Sequence, residues 1–296
     1  MRVVITGGSG FVGGHLAALL TRQGHTVYSC DLHHGCDVRS YESVRESIVH
    51  AEPDRVYHLA AVAWPGESIR DTRRTLDTNI GGTFNVLEAV RRTGSHARIL
   101  ITGTSEEYGY HTGPGPLTEK FVCEPSTPYG VSKLTATVLG QAYVQRYGMH
   151  VVCTRAWNHT GPGRQAVNAE SAFARRIVAV ERGESPHVAH GDLSAVRNFT
   201  DVRDMVRAYV KVIECEPGIY NACHPTQNVT MNQVMQILIE AAGSGVTLKP
   251  DPLLMHPNQE GWTDPSCDRL RAATGWEPEI PLSMTLDDLL IYWRNR

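Results

Sequence analysis

The chain has 296 residues, 41% of them hydrophobic and 20% charged, and its 28 Lys+Arg against 31 Asp+Glu leave a net charge of −3. At about 150 residues per domain this is one large or two modest units, with enough interior to bury a core without disulfides or metals. A near-neutral balance with no basic run offers no electrostatic footprint for nucleic acid. No stretch approaches the roughly 18 apolar residues of a membrane span. Val3 to Ile5 run at once into Thr6, Gly7 and Gly8, so no signal-peptide core is seen. The expectation is a cytoplasmic protein with neither nucleic acid nor membrane as partner. The seven cysteines include no C-x-x-C pair and are expected as reduced thiols. The run Cys30-Asp31-Leu32-His33-His34-Gly35-Cys36 holds four soft ligands, but nothing downstream completes a tetrahedral set, so no metal site is expected.

In chain order, short β-branched runs alternate with amphipathic stretches. They predict strands at 2–6, 26–31, 55–59, 98–102 and 150–155, and helices at 11–22, 41–50, 74–92 and 128–147. This is the pattern of βαβ units and of an α/β fold with a doubly wound parallel sheet. After Asn158 the regularity is broken by Gly161, Pro162 and Gly163. A helix near 169–182, an extended piece at 187–190, and helices at 201–213, 231–241 and 283–293 predict a smaller, mainly helical C-terminal lobe. The division expected is a nucleotide-binding part over 1–160, with 195–225 returning to it, and a substrate lobe over 161–194 and 226–296. Asp201, Arg203 and Asp204 are expected to start a helix rather than to act chemically.

The first strand ends in Thr6-Gly7-Gly8-Ser9-Gly10-Phe11-Val12-Gly13, a G-x-x-G-x-x-G directly before a helix. Gly7 allows the tight turn, Gly10 lets the backbone approach a pyrophosphate, and Gly13 lets the helix pack close to the sheet. The free N–H groups and positive dipole end of the helix, which begins at Phe11 and Val12, then face the phosphates. Asp31 closes the second strand, 18 residues beyond Gly13, where a carboxylate accepts hydrogen bonds from adenosine ribose hydroxyls. The pattern is that of a Rossmann dinucleotide site. A carboxylate repels a 2′-phosphate and no Arg follows Asp31 directly, so NAD(H) is preferred, with NADP(H) left possible through Arg39 and His33.

Past the fourth strand comes Gly103-Thr104-Ser105-Glu106-Glu107-Tyr108-Gly109, and later Pro128-Tyr129-Gly130-Val131-Ser132-Lys133. Tyr129 and Lys133 are four apart and share one helix face. The spacing predicts that the ammonium lowers the phenol from its usual value of about 10, making Tyr129 an acid/base.

These strings, at 6–13, at Leu59-Ala60-Ala61, at 104–109 and at 129–133, resemble in order the motifs of the extended short-chain dehydrogenase/reductases, the NAD-dependent epimerase/dehydratase family, over nearly the whole chain. The resemblance implies hydride passing between a nicotinamide and a sugar carbon. Tyr129 would move the hydroxyl proton, Lys133 would also hold the nicotinamide ribose, and Thr104 would hydrogen-bond the reacting oxygen. It implies cofactor contacts at Gly7, Gly10, Phe11, Val12, Asp31, Asp37, Val38, Leu59, Ala60, Ala61, Asn79, Tyr129 and Lys133. The helices matching 74–92 and 128–147 would form a homodimer interface.

Asn158-His159-Thr160-Gly161-Pro162-Gly163, the run 195–204 and Thr274-Gly275-Trp276-Glu277-Pro278 resemble the GDP-mannose branch of that family. Its 4-keto-6-deoxy-sugar reductases match first and its 4,6-dehydratases next. The implied substrate is a nucleotide-diphosphate sugar, with Asn158 and Arg197 near the diphosphate. His256 stands before Pro257 where the family commonly has Arg, and Arg197-Asn198-Phe199 replaces Arg-Asp-Phe, which leaves the nucleotide base open. Glu106, two residues after Thr104, matches the carboxylate that removes the carbon-5 proton in dehydratases, yet the same string occurs in reductases. The reading favoured is reduction of a nucleotide-linked 4-keto-6-deoxyhexose at carbon 4. A 4,6-dehydratase or 4-epimerase with recycled cofactor is the alternative, and a non-catalytic NAD-binding sensor the remote one.

Overall fold

The computed structural model describes residues 1–110, 115–243, 245–255 and 264–296. The first half runs β1 (Arg2–Thr6), α1 (Phe11–Arg22), β2 (Thr26–Cys30), α2 (Tyr41–Ala51), β3 (Arg55–His58), α3 (Pro65–Arg70), α4 (Thr72–Leu76), a π-helical turn (Asp77–Gly81), α5 (Gly82–Arg92), β4 (Arg98–Thr104), α6 (Pro128–Tyr147) and β5 (Val151–Ala156). The second half runs β6 (Asn158–Thr160), α7 (Ala169–Glu181), β7 (Val188–His190), β8 (Val196–Asp201), α8 (Val202–Val212), β9 (Gly218–Ala222), β10 (Asn228–Thr230), α9 (Met231–Ala242), β11 (Leu248–Pro250), α10 (Asp268–Thr274) and α11 (Leu282–Arg294).

The main sheet has six parallel strands in the order β2-β1-β3-β4-β5-β9. Its strands are apolar on both faces because helices cover both. Val3, Ile5 and Leu100 face Leu16 and Leu20 of α1 and Met205 and Tyr209 of α8. Val4, Ile99 and Ile101, pointing the other way along the same strands, face Val44 and Ile48 of α2, Val86 and Val90 of α5, and Ala136 of α6. Each such fully buried aliphatic side chain contributes roughly 1.5–3 kcal/mol. A third core joins Phe173 and Ile177 of α7, Met235 and Leu238 of α9, and Leu286 and Leu290 of α11. Cys267, Leu270 and Trp276 pack instead with α8 and the main sheet. From β1 the chain goes outward to β2 and then back across to β3, so the carboxyl ends of β1 and β3 flank the switch point where such folds bind ligands.

Three sequence expectations change. The helix expected over 74–92 is broken into α4, the π-helical turn and α5, starting at Thr72 because the Asp71 carboxylate accepts from the Arg74 N–H at 3.0 Å. The wider π turn brings in Asn79, whose amide is tied to both Val62 backbone groups and to Ser132. The second half holds more sheet than its sequence shows: β9 adds a sixth strand, and β6 pairs with β8, which pairs with β10. These strands are short or interrupted by polar residues, so no period-2 run marks them. Finally, Cys30 and Cys36 are not reduced thiols: the 3-10 turn Leu32–His34 and Gly35 in the left-handed region fold the chain back, bring their Cα atoms to 5.0 Å and join them in a disulfide. This also withdraws both sulfurs from the Cys/His run.

Candidate active site

The glycine turn is built by exclusion of side chains. Gly7 sits at φ +71° and abuts the backbone of Ala60, which a Cβ would approach to 2.9 Å. A Cβ on Gly13 would overlap the Gly7 carbonyl and come within 2.8 Å of Gly8 Cα. Gly10 is the residue before α1, and no side chain caps that helix end, so its first N–H groups face outward as an anion cradle. The Leu59 N–H donates to Thr6 O at 3.1 Å and the Ala60 N–H to Thr6 Oγ1 at 3.2 Å, placing the 59–61 segment against the turn. Beneath it His58, fully buried, bridges the Thr6 and Thr83 hydroxyls at 2.7 and 3.0 Å. Burial, and then the Lys133 charge, hold His58 at about 3, so it is neutral.

Asp31 directly follows β2 beside the same turn and caps the 3-10 turn Leu32–His34. Its carboxylate accepts from the Ser9 N–H at 2.8 Å and from the His33 and His34 N–H groups at 3.1 and 3.3 Å, with His34 Nδ1 at 2.9 Å. Burial alone would raise it, but the bonds from His34 and Ser9 prevail and hold it at about 2. Asp37 is occupied by Arg39, at 2.6 to 3.0 Å. Val38 is buried, and its carbonyl accepts from Asn85 at 2.8 Å. The cation in this loop that sequence reasoning left open for a 2′-phosphate is thus already paired.

Across the switch point, Thr104 ends β4 and Tyr129 opens α6. Thr127 caps α6, its hydroxyl accepting from the Gly130 N–H at 3.0 Å, and Pro128 starts it. Tyr129 is 9% exposed, and the Thr104 hydroxyl lies near its phenol and acts to lower its pKa. Lys133, one turn on, donates to the Thr102 carbonyl at 2.8 Å. The expectation that Lys133 depresses Tyr129 is corrected. Burial, and then the Glu106 charge, push the phenol up, and the opposing influences are the Thr104 hydroxyl and Arg164. The phenol is therefore a neutral donor, while burial brings Lys133 down to about 8.

Glu106 accepts from Thr127 Oγ1 at 3.0 Å; burial raises it, while that bond and the Arg197 charge act in the other direction. Arg197 itself is exposed on β8, and Asn158 is exposed on β6, paired with Phe199 of β8. His256 lies outside the described residues. Sequence reasoning missed the 159–164 segment as a wall of this site. The His159 ring stacks on Phe11 at 6.4 Å, His15 Nε2 meets the Pro162 carbonyl at 2.8 Å, and the Arg164 guanidinium lies 5.2 Å over the Phe11 ring. The Gly161-Pro162-Gly163 break was the signal that the chain turns there.

A glycine turn at the switch point of a parallel sheet, facing a Tyr/Lys helix stripe and a threonine at the next strand end, defines a Rossmann-type nucleotide-binding protein. Its relatives place it more narrowly. The chain belongs to the NAD dependent epimerase/dehydratase family, whose model matches residues 3–223. It is 32% identical over 100% of its length to GDP-6-deoxy-D-mannose reductase of Pseudomonas aeruginosa, covering 98% of that protein. It is 29% identical to UDP-glucuronic acid decarboxylase 1 of Arabidopsis thaliana, covering 100% of this chain and 70% of the other. Among solved structures it superposes on RMD from Pseudomonas aeruginosa complexed with NADPH with a TM-score of 0.91, at 30% identity and covering 100% and 99% of the two chains. UDP-glucose 4-epimerase of Thermus thermophilus in complex with NAD gives 0.88 at 27% identity, over 99% of each chain.

Proposed function

We propose that the protein is an NAD(P)H-dependent reductase of a nucleotide-linked 4-keto-6-deoxyhexose, acting at carbon 4. The observation that carries this is the Thr104–Tyr129 hydroxyl pair, in which burial keeps the phenol protonated. A neutral phenol is the form that gives a proton to a carbonyl oxygen as hydride arrives at its carbon. The full-length likeness to a protein named as a GDP-6-deoxy-D-mannose reductase supports the sugar class.

The residues present fit a dinucleotide. The Gly7, Gly10 and Gly13 cradle, which Cβ atoms would fill or crowd, and the uncapped start of α1 at Phe11 and Val12 would take the pyrophosphate. Asp31, with Asp37 and Val38, would line the adenosine end, where an ionised carboxylate favours NAD(H) while NADP(H) stays open. Leu59, Ala60, Ala61 and Asn79 would line the middle, and Tyr129 and Lys133 the nicotinamide ribose. The bound cofactor supplies the hydride. Thr104 donates to the keto oxygen and orients it, and Tyr129 delivers the proton. Asn158 and Arg197 would meet the substrate diphosphate at the edge of the β6–β8 sheet, with His256 as a further candidate. The substrate lobe would comprise 161–194 and 226–296, against a nucleotide part of 1–160 with 195–225.

Incubation with a GDP-4-keto-6-deoxy sugar should consume NADH or NADPH stoichiometrically. Turnover of GDP-mannose without net change in the nicotinamide would overturn the reductase and favour a 4,6-dehydratase. Glu106 favours that second reading, because a carboxylate raised by burial beside Thr104 is suited to proton abstraction. A homodimer through α5 and α6 fits the exposed Phe84, Val131 and Val138 on those helices, and sedimentation would test it.

A further inference from the structure

Glu107 has no part in the chemistry above, yet it is the most completely enclosed carboxylate near the site, with 0% exposure. Its Oε1 accepts from the Thr104 N–H at 3.0 Å and from Thr137 Oγ1 at 3.3 Å, and its Oε2 accepts from Arg155 Nε at 3.0 Å. Thr137 lies one turn beyond Lys133 on α6, so Tyr129, Lys133 and Thr137 form one stripe, and the last of them holds Glu107. Gly103 makes the room, since a Cβ there would overlap Glu107 Oε1. Arg155, on β5, is 4% exposed and packs 4.5 Å over the Tyr108 ring. All three partners of Glu107 are donors and one is a permanent cation, so its carboxylate form is the one the site holds, although burial pushes it up.

We propose that Glu107, with Arg155 as its counter-ion, is a positioning residue: it clamps the loop after β4 to the Tyr129–Lys133 stripe of α6 and sets a fixed negative charge beneath Lys133. The clamp fixes the backbone of Thr104, and with it the hydroxyl that meets Tyr129. The charge opposes the loss of the Lys133 proton that burial favours. The other charged or titratable groups facing Tyr129 and Lys133 are Glu106 from the same loop, Arg164 from the 159–164 segment, His58 from β3 and Tyr209 from α8, and those facing Glu107 and Arg155 are Tyr108, Cys123 and Cys153. Of these, Glu106 reaches only the cap of α6, accepting from Thr127 Oγ1, while its N–H donates to Thr104 Oγ1; Glu107 alone among all these groups joins the Thr104 backbone to a residue within the helix, Thr137. The roles of Thr104, Tyr129 and Lys133 rest on the proposed function, but the charge and the clamp do not.

The test reads Lys133 directly. The lysines are Lys120, Lys133, Lys211 and Lys249, so the ε-carbon resonances of lysine-labelled full-length protein can be assigned and titrated one by one. E107Q keeps an acceptor for the Thr104 N–H and removes the charge. E107Q/R155M also removes the cation left unpaired, which protects the fold. E107Q should move the Lys133 midpoint to lower pH by about one unit, leaving the other lysines in place, and E107Q/R155M, which removes a charge of each sign, should move it the same way by less. An unchanged Lys133 midpoint in folded E107Q, or in E107Q/R155M should the single variant not fold, overturns the proposal. The titration needs no substrate, so a failure of the proposed reaction leaves its result standing. With turnover in hand, kcat of E107Q should fall more than tenfold with KM within about twofold, whereas a loss confined to KM would overturn the positioning role.

Discussion

The Lys133 ammonium donates to the Thr102 carbonyl at 2.8 Å, tying the start of α6 to the strand that ends in Thr104. The same helix turn presents Tyr129 to Thr104, so the two hydroxyls meet because a buried lysine pins their elements together. Tyr129→Phe keeps the ring and its packing and removes only the donor. Turnover should drop about 10²- to 10⁴-fold while cofactor affinity stays nearly constant, which steady-state kinetics and fluorescence titration of NADH would show together.

Lys133, at about 8, loses its charge at mildly alkaline pH. The ammonium offers three donors and a charge, one donor going to Thr102, whereas the neutral amine keeps two donors, loses the charge-assisted bonds and gains a lone pair. Nicotinamide cofactor affinity should therefore weaken as pH rises through about 8. A flat affinity profile from pH 7 to 9.5 would contradict Lys133 as a ribose ligand.

Asp31, at about 2, is ionised throughout the working range. Asp31→Asn should weaken NAD(H) binding about tenfold, the scale of one lost charged hydrogen bond, and narrow or reverse the preference over NADP(H). Parallel titrations with both cofactors give the ratio directly.

His58 is neutral in the fold, at about 3 against an ordinary 6.5. Its contribution is complete above 6.5 and lost as pH falls toward 3, because the unfolded chain takes up the proton first. Unfolding free energy should fall by about 2 kcal/mol between pH 7 and pH 5 from this residue alone. Asp31 adds nothing in that window, since its shift acts below about 4. Urea unfolding at the two pH values checks the slope, which His58→Gln should reduce.

The Cys30–Cys36 disulfide predicts a thiol count. Denatured protein should present the five remaining thiols, Cys123, Cys153, Cys215, Cys223 and Cys267, to an alkylating reagent, and all seven cysteines after reduction. Seven before reduction would remove the disulfide.

How much of this was legible in the chain varies with the range of the interaction. The glycine turn, α1 and α6 are local: Gly7, Gly13 and the Thr127-Pro128 start act within a few residues, and both helices begin and end where their sequence signals lie. The i,i+4 relation of Tyr129 and Lys133 is equally local. The protonation of Tyr129 is not, because it depends on burial and on Glu106 and Arg164, which reach it from other segments. Spacing reveals which groups share a helix face but not how much water each retains.

By itself the sequence determined the order of βαβ units, the cradle for a pyrophosphate, the carboxylate at the end of β2 and the Tyr/Lys stripe, since each follows from short-range periodicity or steric allowance. Only the tertiary structure decided the sixth strand, the π turn at Asn79, the Cys30–Cys36 bond and the enclosure of Glu107 with Arg155. None of these pairings has a periodic trace: the disulfide needs the left-handed turn at Gly35, and the others draw their energies from desolvation and contact between distant segments, which exist only once the chain has closed on itself.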